Sequence, residues 1–431
     1  MMIMERTLLI ELEKWKNSKN RKPLILKGAR QVGKTWLMRE FGNRAFKKVA
    51  YISFFNNKRM KNVFDADYDL ERILLNISIE TKLKITAEDT LIIFDEIQEA
   101  PKALEALKFF CENAPEYPVV AAGSLLGVAI HEGVSFPVGK VDTLNVYPLS
   151  FMEFLRAMGE EALADLLSVG NVELVEDFRD KYIFWLKNYY YIGGMPEVVA
   201  AFKDSKDYLE VRHLQKSLLQ QYEDDLGKHA IDELGRLRLV WNSIPLQLSK
   251  ENKKFFFGQI KTGARLKDFE LAIEWLKDCG LITKVYKVNK PAMPLKAYVD
   301  FSAFKLFTLD VGLLGAMSDL DAVSILEGNK IFTEFKGALT EQYVLQQLVA
   351  TTGYTPYYFL LEKGAYEMDF MVQKGSDIVP LEVKSEDNLR AKSLQAYCKK
   401  YSPNYAVRTS MSGYRVQENM LNLPLYLINR L

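Results

Sequence analysis

Short apolar runs alternate with amphipathic segments along the first third of the chain. Five runs have the length and composition of β-strands: Pro23–Lys27, Lys48–Phe54, Thr90–Asp95, Pro118–Gly123 and Thr143–Tyr147. Between them apolar residues return at helical spacing, for example along Lys102–Glu112. Strands that alternate with helices are typical of a mostly parallel sheet with helices on both faces. The pattern therefore predicts an α/β domain over residues 1–150.

The pattern becomes helical after Tyr147-Pro148-Leu149-Ser150 and stays so to about Ser249. The segment Gly193-Gly194-Met195-Pro196 interrupts it with a turn signal. One more amphipathic helix and two β-rich runs follow: Gly258–Ile282, Leu281–Val288 and Leu295–Leu309. Because helices ending in a β-hairpin are typical of winged-helix modules, we predict a helical and winged-helix region over residues 151–325.

The recognition helix predicted for this module, Arg265–Asp278, is slightly acidic. Its basic residues are outnumbered by its acidic ones: Arg265, Lys267 and Lys277 against Asp268, Glu270, Glu274 and Asp278. A surface that binds DNA phosphates needs an excess of positive charge. We therefore expect this module to be a scaffold or a contact for a protein partner.

The last hundred residues show a third pattern, in which a helix, a set of strands and a second helix follow one another. The predicted elements are Phe332–Thr351, Thr355–Leu361, Glu367–Val372, Ile378–Lys384 and Leu389–Tyr401, with short strands near Tyr405–Arg408 and Leu425–Ile428. This order predicts a separate small α/β domain over residues 326–431. The fold class of the whole chain is therefore α/β.

Composition excludes several classes of protein. The 431 residues include 57 Lys and Arg against 56 Asp and Glu, so global charge gives no argument for nucleic acid or membrane. The three cysteines are far apart, which excludes a disulfide framework or a cysteine zinc site. The longest uncharged apolar stretch, Tyr117–Ile130, is shorter than the roughly 20 residues of a membrane span. With no signal-peptide pattern either, we expect a cytoplasmic protein without a membrane partner.

A phosphate-binding motif follows the first predicted strand. Gly28-Ala29-Arg30-Gln31-Val32-Gly33-Lys34-Thr35, called the P-loop below, matches G-x-x-x-x-G-K-[ST] in full and opens a predicted helix. Its glycines let the backbone wrap phosphate oxygens, and the helix N-terminus adds positive potential. We expect the loop to bind ATP, Lys34 to contact the β- and γ-phosphates during catalysis, and the Thr35 hydroxyl to ligate Mg²⁺.

The second half of the predicted nucleotide site is Leu91-Ile92-Ile93-Phe94-Asp95-Glu96. Asp95 ends a buried strand, which is where ligands bind in parallel α/β sheets. We expect Asp95 to hold Mg²⁺ through water and Glu96 to polarise the attacking water. Ser124, at the tip of the next strand, is a candidate catalytic sensor of the γ-phosphate, and Gln98 could align water or substrate. It is an equally good interpretation that Ser124 only caps a strand and that Gln98 is only a polar residue of a turn.

Several segments together resemble a known group, the prokaryotic AAA-type ATPases with an uncharacterised C-terminal domain. These segments are LKGARQVGKT, IIFDEIQEAP, AAGSLL, YPLSFMEFL, YIGGMPEVV and GALTEQYV…LEVKS. The resemblance covers nearly the whole chain and implies a P-loop NTPase core, a helical and winged-helix middle and a nuclease-like end. Similar proteins often have Gly-Arg where this chain has Gly139-Lys140. Because lysine lacks the bidentate fork of arginine, an arginine role is not carried over there.

Charged residues recur on the predicted C-terminal strands. Asp369 lies on one strand, and thirteen residues later Glu382 and Lys384 project to one face of the next. With Glu341 from the preceding helix they would form a second Mg²⁺ pocket. The order resembles the restriction-endonuclease-like D…ExK signature. The same residue types are also common as solvated pairs on amphipathic edge strands.

The leading interpretation is a Mg²⁺-dependent ATPase whose nucleotide state regulates the winged-helix and C-terminal modules. Two alternatives stay open. The first is an ATP-gated DNA endonuclease, for which a basic patch near Glu382 and Lys384 would argue. The second is an interaction or signalling switch without C-terminal chemistry, for which a salt-bridged pocket would argue. DNA is a candidate partner of the C-terminal module, and the sequence is compatible with an oligomer but identifies no trans-acting arginine.

Overall fold

The computed structural model describes residues 5–123, 135–229, 233–250, 253–328, 333–361, 364–387 and 390–431. The chain forms two compact units. The N-terminal unit consists of Arg6–Tyr147 with Asp278–Gly280, and the C-terminal unit consists chiefly of Pro148–Lys277 and Leu281–Leu431. Among the helices in these described ranges, none is both long enough and apolar enough to cross a membrane.

A five-stranded sheet with the spatial order β2-β3-β4-β1-β5 forms the centre of the N-terminal unit. Its strands are β1 Leu24–Lys27, β2 Lys48–Ser53, β3 Thr90–Asp95, β4 Val119–Ala122 and β5 Asp142–Asn145. Neighbouring strands pair in parallel. Every residue of β3 and β4 is buried, which explains why they read as continuous apolar runs rather than as alternating ones. The predicted parallel α/β sheet is confirmed.

Within the described residues, five helices accompany this sheet: α1 Leu8–Lys16, α2 Lys34–Ala45, α3 Lys58–Ala66, α4 Leu70–Thr81 and α5 Pro101–Asn113. Aromatic rings from the strands and helices meet in the core. Phe94 of β3 contacts Phe54, Phe64 and Phe110, with ring centroids 5.5–6.1 Å apart. Burying such rings supplies about 2–3 kcal/mol each, so these contacts fix α3 and α5 on the sheet beside the end of β3.

The first part of the C-terminal unit is helical, as predicted. Its helices are α6 Phe151–Ala157, α7 Glu161–Val169, α8 Val172–Glu176, α9 Arg179–Ile192, α10 Pro196–Ser205, α11 Tyr208–His229, α12 Leu234–Leu248 and α13 Leu266–Asp278. Ser150 and Glu153 form a capping box that starts α6. Pro196 occupies the first turn of α10, where its missing N–H costs nothing.

The turn between α9 and α10 packs against a buried carboxylate. Gly193 has φ = 76°, and a Cβ there would overlap Oδ1 of Asp310, which is fully buried. Asp310 Oδ2 accepts hydrogen bonds from Gly194 N at 2.6 Å and Gln346 Nε2 at 2.9 Å, and Oδ1 accepts one from Leu313 N at 3.1 Å. This network joins three separate parts of the C-terminal unit.

The second part of the C-terminal unit contains a mixed eight-stranded sheet with the order β12-β13-β11-β10-β9-β8-β6-β7. Its strands are β6 Ile282–Val288, β7 Val299–Thr308, β8 Tyr357–Leu361, β9 Tyr366–Lys374, β10 Asp377–Val383, β11 Ala406–Ser410, β12 Arg415–Gln417 and β13 Met420–Pro424. The accompanying helices are α14 Val311–Met317, α15 Thr333–Thr351 and α16 Lys392–Tyr401. The strand predicted at Leu425–Ile428 is wrong, because Pro424 ends β13 and a 3-10 helix covers Leu425–Arg430.

One strand pairing joins the two halves of this sheet. The hairpin β6–β7, expected to belong to a winged-helix region, pairs with β8 in parallel through Lys287 with Tyr358 and Val288 with Phe359. The hairpin and the C-terminal strands therefore form one sheet. The division into domains at residues 150 and 325 stays a prediction.

Candidate functional site

The backbone of the P-loop adopts conformations that favour glycine. Gly33, the N-cap residue of α2, has φ = 93°, and Gly28 has φ = 149°. A Cβ on Gly28 would overlap the carbonyl oxygen of Val146, so a larger residue would displace the loop. The loop thus leads into the N-terminus of α2, where backbone amides without helical partners are available to an anion.

A buried arginine supports the P-loop. Arg6, only 5% exposed, donates hydrogen bonds to the carbonyl oxygens of Val32 at 3.0 Å and Tyr147 at 2.6 Å. Burying a guanidinium group is costly unless its donors are used, so these bonds fix the loop to the chain that follows β5. Sequence reasoning missed Arg6, because a single arginine before an amphipathic helix has no distinguishing pattern.

The side chain of Lys34 is buried at the start of α2. Its ammonium donates to the carbonyl oxygens of Gly28 at 2.9 Å and Ala29 at 2.6 Å. Burial lowers the pKa of Lys34 to about 8, although the nearby carboxylates of Glu96 and Asp95 raise it. A phosphate group would further favour the charged form of this lysine.

One carboxylate oxygen connects three elements of the N-terminal unit. Asp95 Oδ2, at the end of β3, accepts hydrogen bonds from Thr35 Oγ1 of α2 and Tyr51 OH of β2, each at 2.7 Å. Its other oxygen accepts from the backbone N–H of Glu96 at 3.1 Å. Asp95 is thereby held in one orientation beside the P-loop. Tyr51 was not among the predicted site residues, since it lies in an ordinary strand pattern.

Glu96 follows Asp95 in the left-handed region, with φ = 52°. Its carboxylate accepts a hydrogen bond from Gln98 Nε2 at 2.5 Å.

Ser124, the predicted phosphate sensor, lies outside the described residues. Lys140, at the departure from the family pattern, forms an ion pair with Glu112 at 2.8 Å. The structure therefore brings Lys34, Thr35, Asp95 and Glu96 to one edge of the sheet, and their catalytic roles stay predictions.

The residues at this edge fit a magnesium ion bound together with a nucleotide. Thr35 and Asp95 offer a hydroxyl and a carboxylate, the hard oxygen ligands that Mg²⁺ prefers. Across the described part of the chain, no three His, Cys, Asp or Glu side chains are grouped to hold a metal ion. Mg²⁺ usually binds through one or two protein ligands plus phosphate oxygens and water, which is the arrangement these two residues could support.

The C-terminal unit contains a second cluster of charges, around Glu341 of α15. Lys253 forms an ion pair with Glu341 Oε1. Lys305 of β7 lies 3.6 Å from Glu341 Oε2 and also pairs with Glu367 of β9. Burial alone would raise the pKa of Glu341, but the two lysines lower it below its ordinary value. Sequence reasoning missed Lys305, although a lone lysine in the apolar run of β7 indicates a buried partner.

Asp369 shares this charged environment, whereas Glu382 makes other contacts. Asp369 Oδ2 accepts a hydrogen bond from Val383 N at 2.7 Å. Burial, with a smaller contribution from Glu341, raises the pKa of Asp369 to about 8 despite the nearby lysines. Glu382 instead pairs with Lys384 at 2.6 Å and accepts from the N–H of Leu394 in α16 at 3.0 Å. The predicted metal-ligand roles of these carboxylates stay predictions.

Replacing Asp369 with asparagine should flatten the pH dependence of stability. In the unfolded chain this carboxyl releases its proton near its ordinary pKa of 3.8, whereas the folded chain keeps it to about pH 8. The unfolded state thus binds fewer protons between these values, and stability falls as pH rises through this window. The melting temperature of wild type should decrease from pH 6 to pH 8, and that of Asp369→Asn should change less. Asp377→Asn on β10 is the control, and equal slopes in all three proteins would contradict the prediction.

Three family models match successive parts of the chain. Residues 20–155 match an AAA domain, residues 183–324 match a domain of unknown function (DUF8612), and residues 336–428 match a domain of unknown function (DUF4143). The chain therefore carries an AAA-family ATPase domain followed by two uncharacterised domains. This confirms the AAA part of the resemblance. The boundary between the two domains of unknown function falls in the connection between β7 and β8, two strands that belong to the same sheet.

Solved structures share only a distant likeness with this chain. The Orc1 protein of Aeropyrum pernix in complex with DNA is 14% identical, with 72% of this chain and 90% of that chain covered and a TM-score of 0.27. The RuvB Holliday junction branch migration motor of Thermotoga maritima is 13% identical, with 64% and 86% covered and a TM-score of 0.29. At such TM-scores the likeness supports no inference about function. No curated protein matches the chain.

Proposed function

We propose that the protein is a Mg²⁺-dependent ATPase whose nucleotide state regulates its C-terminal unit. The observation that carries the proposal is the 2.7 Å hydrogen bond between Thr35 and Asp95. It places the hydroxyl that follows the phosphate-binding lysine against the carboxylate at the end of the buried strand β3. This is the pair that would hold Mg²⁺ in a P-loop ATPase, and the matched AAA domain includes both residues.

The proposed mechanism assigns one task to each residue. The amides at the start of α2 and the ammonium of Lys34 bind the phosphates of ATP. Thr35 and, through water, Asp95 would hold Mg²⁺, which would neutralise negative charge on the phosphates. Glu96 polarises the attacking water, and its 2.5 Å hydrogen bond from Gln98 keeps the carboxylate oriented.

For the C-terminal unit, a non-cleaving interaction module is a better proposal than an ATP-gated endonuclease. A nuclease of the D…ExK type needs carboxylate oxygens that are free to bind a metal ion. Here both oxygens of Glu341 face lysines, and both oxygens of Glu382 are engaged by Lys384 and α16. Displacing the lysines from Glu341 would leave the fully buried ammonium of Lys305 with less compensating charge, which favours the salt-bridged alternative.

The contacts of α13 argue against DNA as the partner of the predicted winged helix. Glu274 pairs with Lys277 and lies 3.3 Å from Lys284 of β6. Asp268 accepts a hydrogen bond from the backbone N–H of Arg265 at 2.8 Å. Two of the basic side chains near this surface are thus paired with a carboxylate and are less available to phosphates.

Two assays on the full chain test the proposal. The protein should release phosphate from ATP in the presence of Mg²⁺, and this hydrolysis should stop when EDTA removes the metal. It should leave supercoiled, linear and single-stranded DNA intact with Mg²⁺ or Mn²⁺, whether ATP, ADP or no nucleotide is present. Failure to hydrolyse ATP would refute the ATPase. DNA cleavage that disappears in Lys384→Ala would establish the endonuclease instead of the interaction module.

A further inference from the structure

We infer that Tyr51 is a positioning residue of the nucleotide site, which orients Asp95 for the Mg²⁺–ATP complex. The inference rests on the proposed ATPase function and adds a residue that lies outside both the P-loop and the strand ending in Asp95. Its basis is the hydrogen bond from Tyr51 OH to Asp95 Oδ2 at 2.7 Å. Tyr51 acts through Asp95 and needs no contact with nucleotide.

The pairing of β2 with β3 places Tyr51 where it can reach this carboxylate. Ser53 is the partner of Asp95, and Tyr51 is the partner of Ile93 in the same parallel register. Tyr51 and Ser53 are two residues apart and therefore project to one face of the sheet. The long tyrosine side chain spans the remaining distance, and a shorter side chain such as serine would not.

Tyr51 would lie directly behind one of the residues that would hold Mg²⁺. Asp95 Oδ2 has two side-chain donors, Thr35 and Tyr51. A Mg²⁺ ion would bind a lone pair of the Thr35 hydroxyl oxygen, so both hydroxyl groups could still donate to Asp95 Oδ2. The Tyr51 hydroxyl would fix the orientation of that oxygen, and partners behind metal ligands commonly contribute to metal affinity in this way.

The ring of Tyr51 is itself held by α2. The guanidinium carbon of Arg39 lies 3.8 Å from the ring centroid, a favourable cation–π distance. Arg39 and Thr35 are four residues apart and lie on the same face of the helix. One face of α2 thus contacts both the ring of Tyr51 and the carboxylate to which Tyr51 donates, which leaves the hydroxyl little freedom to turn away.

The test compares nucleotide binding with and without metal in Tyr51→Phe. Phenylalanine keeps the ring under Arg39 and removes only the hydroxyl. Binding of a fluorescent ATP analogue in EDTA should be unchanged, because the P-loop and Lys34 are intact. The Mg²⁺ concentration that half-saturates the metal-dependent increase in affinity should rise by about 10-fold. Tyr68→Phe is the matched control, since the Tyr68 hydroxyl also donates to a carboxylate, that of Glu105, in the same unit.

A double-mutant cycle with Asp95→Asn separates positioning from a general effect on folding. If Tyr51 acts through Asp95, adding Tyr51→Phe to Asp95→Asn should change the Mg²⁺ half-saturation by less than about twofold. An unchanged Mg²⁺ half-saturation in Tyr51→Phe alone would overturn the inference, and so would an equal loss of affinity in EDTA and Mg²⁺. Wild-type protein that binds no ATP would instead refute the proposed function itself.

Discussion

Glu96→Gln should bind ATP as wild type does and lose nearly all turnover. Glutamine has the size of glutamate and can still bond to Gln98, which contacts the Glu96 carboxylate at 2.5 Å. It cannot accept a proton from the attacking water, and a positioned general base contributes about 10²–10⁴-fold to such reactions. We expect kcat to fall by at least about 100-fold while the affinity for ATP stays within a few-fold. Phosphate release and equilibrium binding measure the two quantities.

Two further variants distinguish this role from a general disturbance. Lys34→Ala removes the buried ammonium at the P-loop, so it should lose tight ATP binding as well as turnover. Glu99→Gln changes a carboxylate three residues beyond Glu96 whose partner is Lys61 at 3.0 Å, and it should hydrolyse ATP at the wild-type rate. If Glu96→Gln turns over ATP as fast as Glu99→Gln does, Glu96 is not the base.

Gly193→Ala should strongly destabilise the C-terminal unit. Its φ of 76° and ψ of −166° belong to a region that is essentially restricted to glycine, and the added methyl group would overlap Oδ1 of Asp310. Backbone strain costs about 1–3 kcal/mol, and disturbing hydrogen bonds to a buried carboxylate adds about 1–3 kcal/mol. Denaturation by urea should show a loss of about 3 kcal/mol or more in the free energy of unfolding.

Gly159→Ala is the control for this substitution. Gly159 has φ = 87°, and apart from the glycine itself and its two chain neighbours no heavy atom lies within 4 Å of the position of an added Cβ. The variant therefore suffers the conformational penalty of a positive φ, about 1–2 kcal/mol, without the overlap. Similar losses in Gly193→Ala and Gly159→Ala would show that contact with Asp310 contributes nothing.

The N-terminal sheet could be predicted from the sequence because its signals are local. Buried parallel strands are apolar throughout, and β3 and β4 match the predicted Thr90–Asp95 and Pro118–Gly123 closely. The P-loop residues are contiguous, so their proximity follows from the chain itself. Tyr51 and Arg6 could not be found in this way, because their contacts depend on strand register and on tertiary packing.

The contacts among the charged residues of the C-terminal unit could not be predicted from the sequence. Alternation along ideal strands predicted that Asp369 and Glu382 would share a site, which stays a prediction, but it gave no sign of the bulge beside Asp369 or of the lysines around Glu341. The register between β8 and β9 shifts, since Tyr357 pairs with Met371 while Phe359 pairs with Met368. Two residues of β9, Asp369 and Phe370, thus stand opposite Tyr358, and such a bulge redirects side chains. Lys253 and Lys305 come from distant segments, so no local pattern pairs them with Glu341.

The pairing of β6 with β8 bears on whether the two domains of unknown function could be encoded as separate proteins. A gene break in the connection between β7 and β8 would separate a hairpin from a six-stranded remainder, each with a newly open row of backbone N–H and C=O groups. Such open edges promote aggregation of the separated pieces. Selection against them would keep the two uncharacterised domains fused in a single reading frame, whereas the AAA domain has a complete sheet of its own and could be exchanged between proteins.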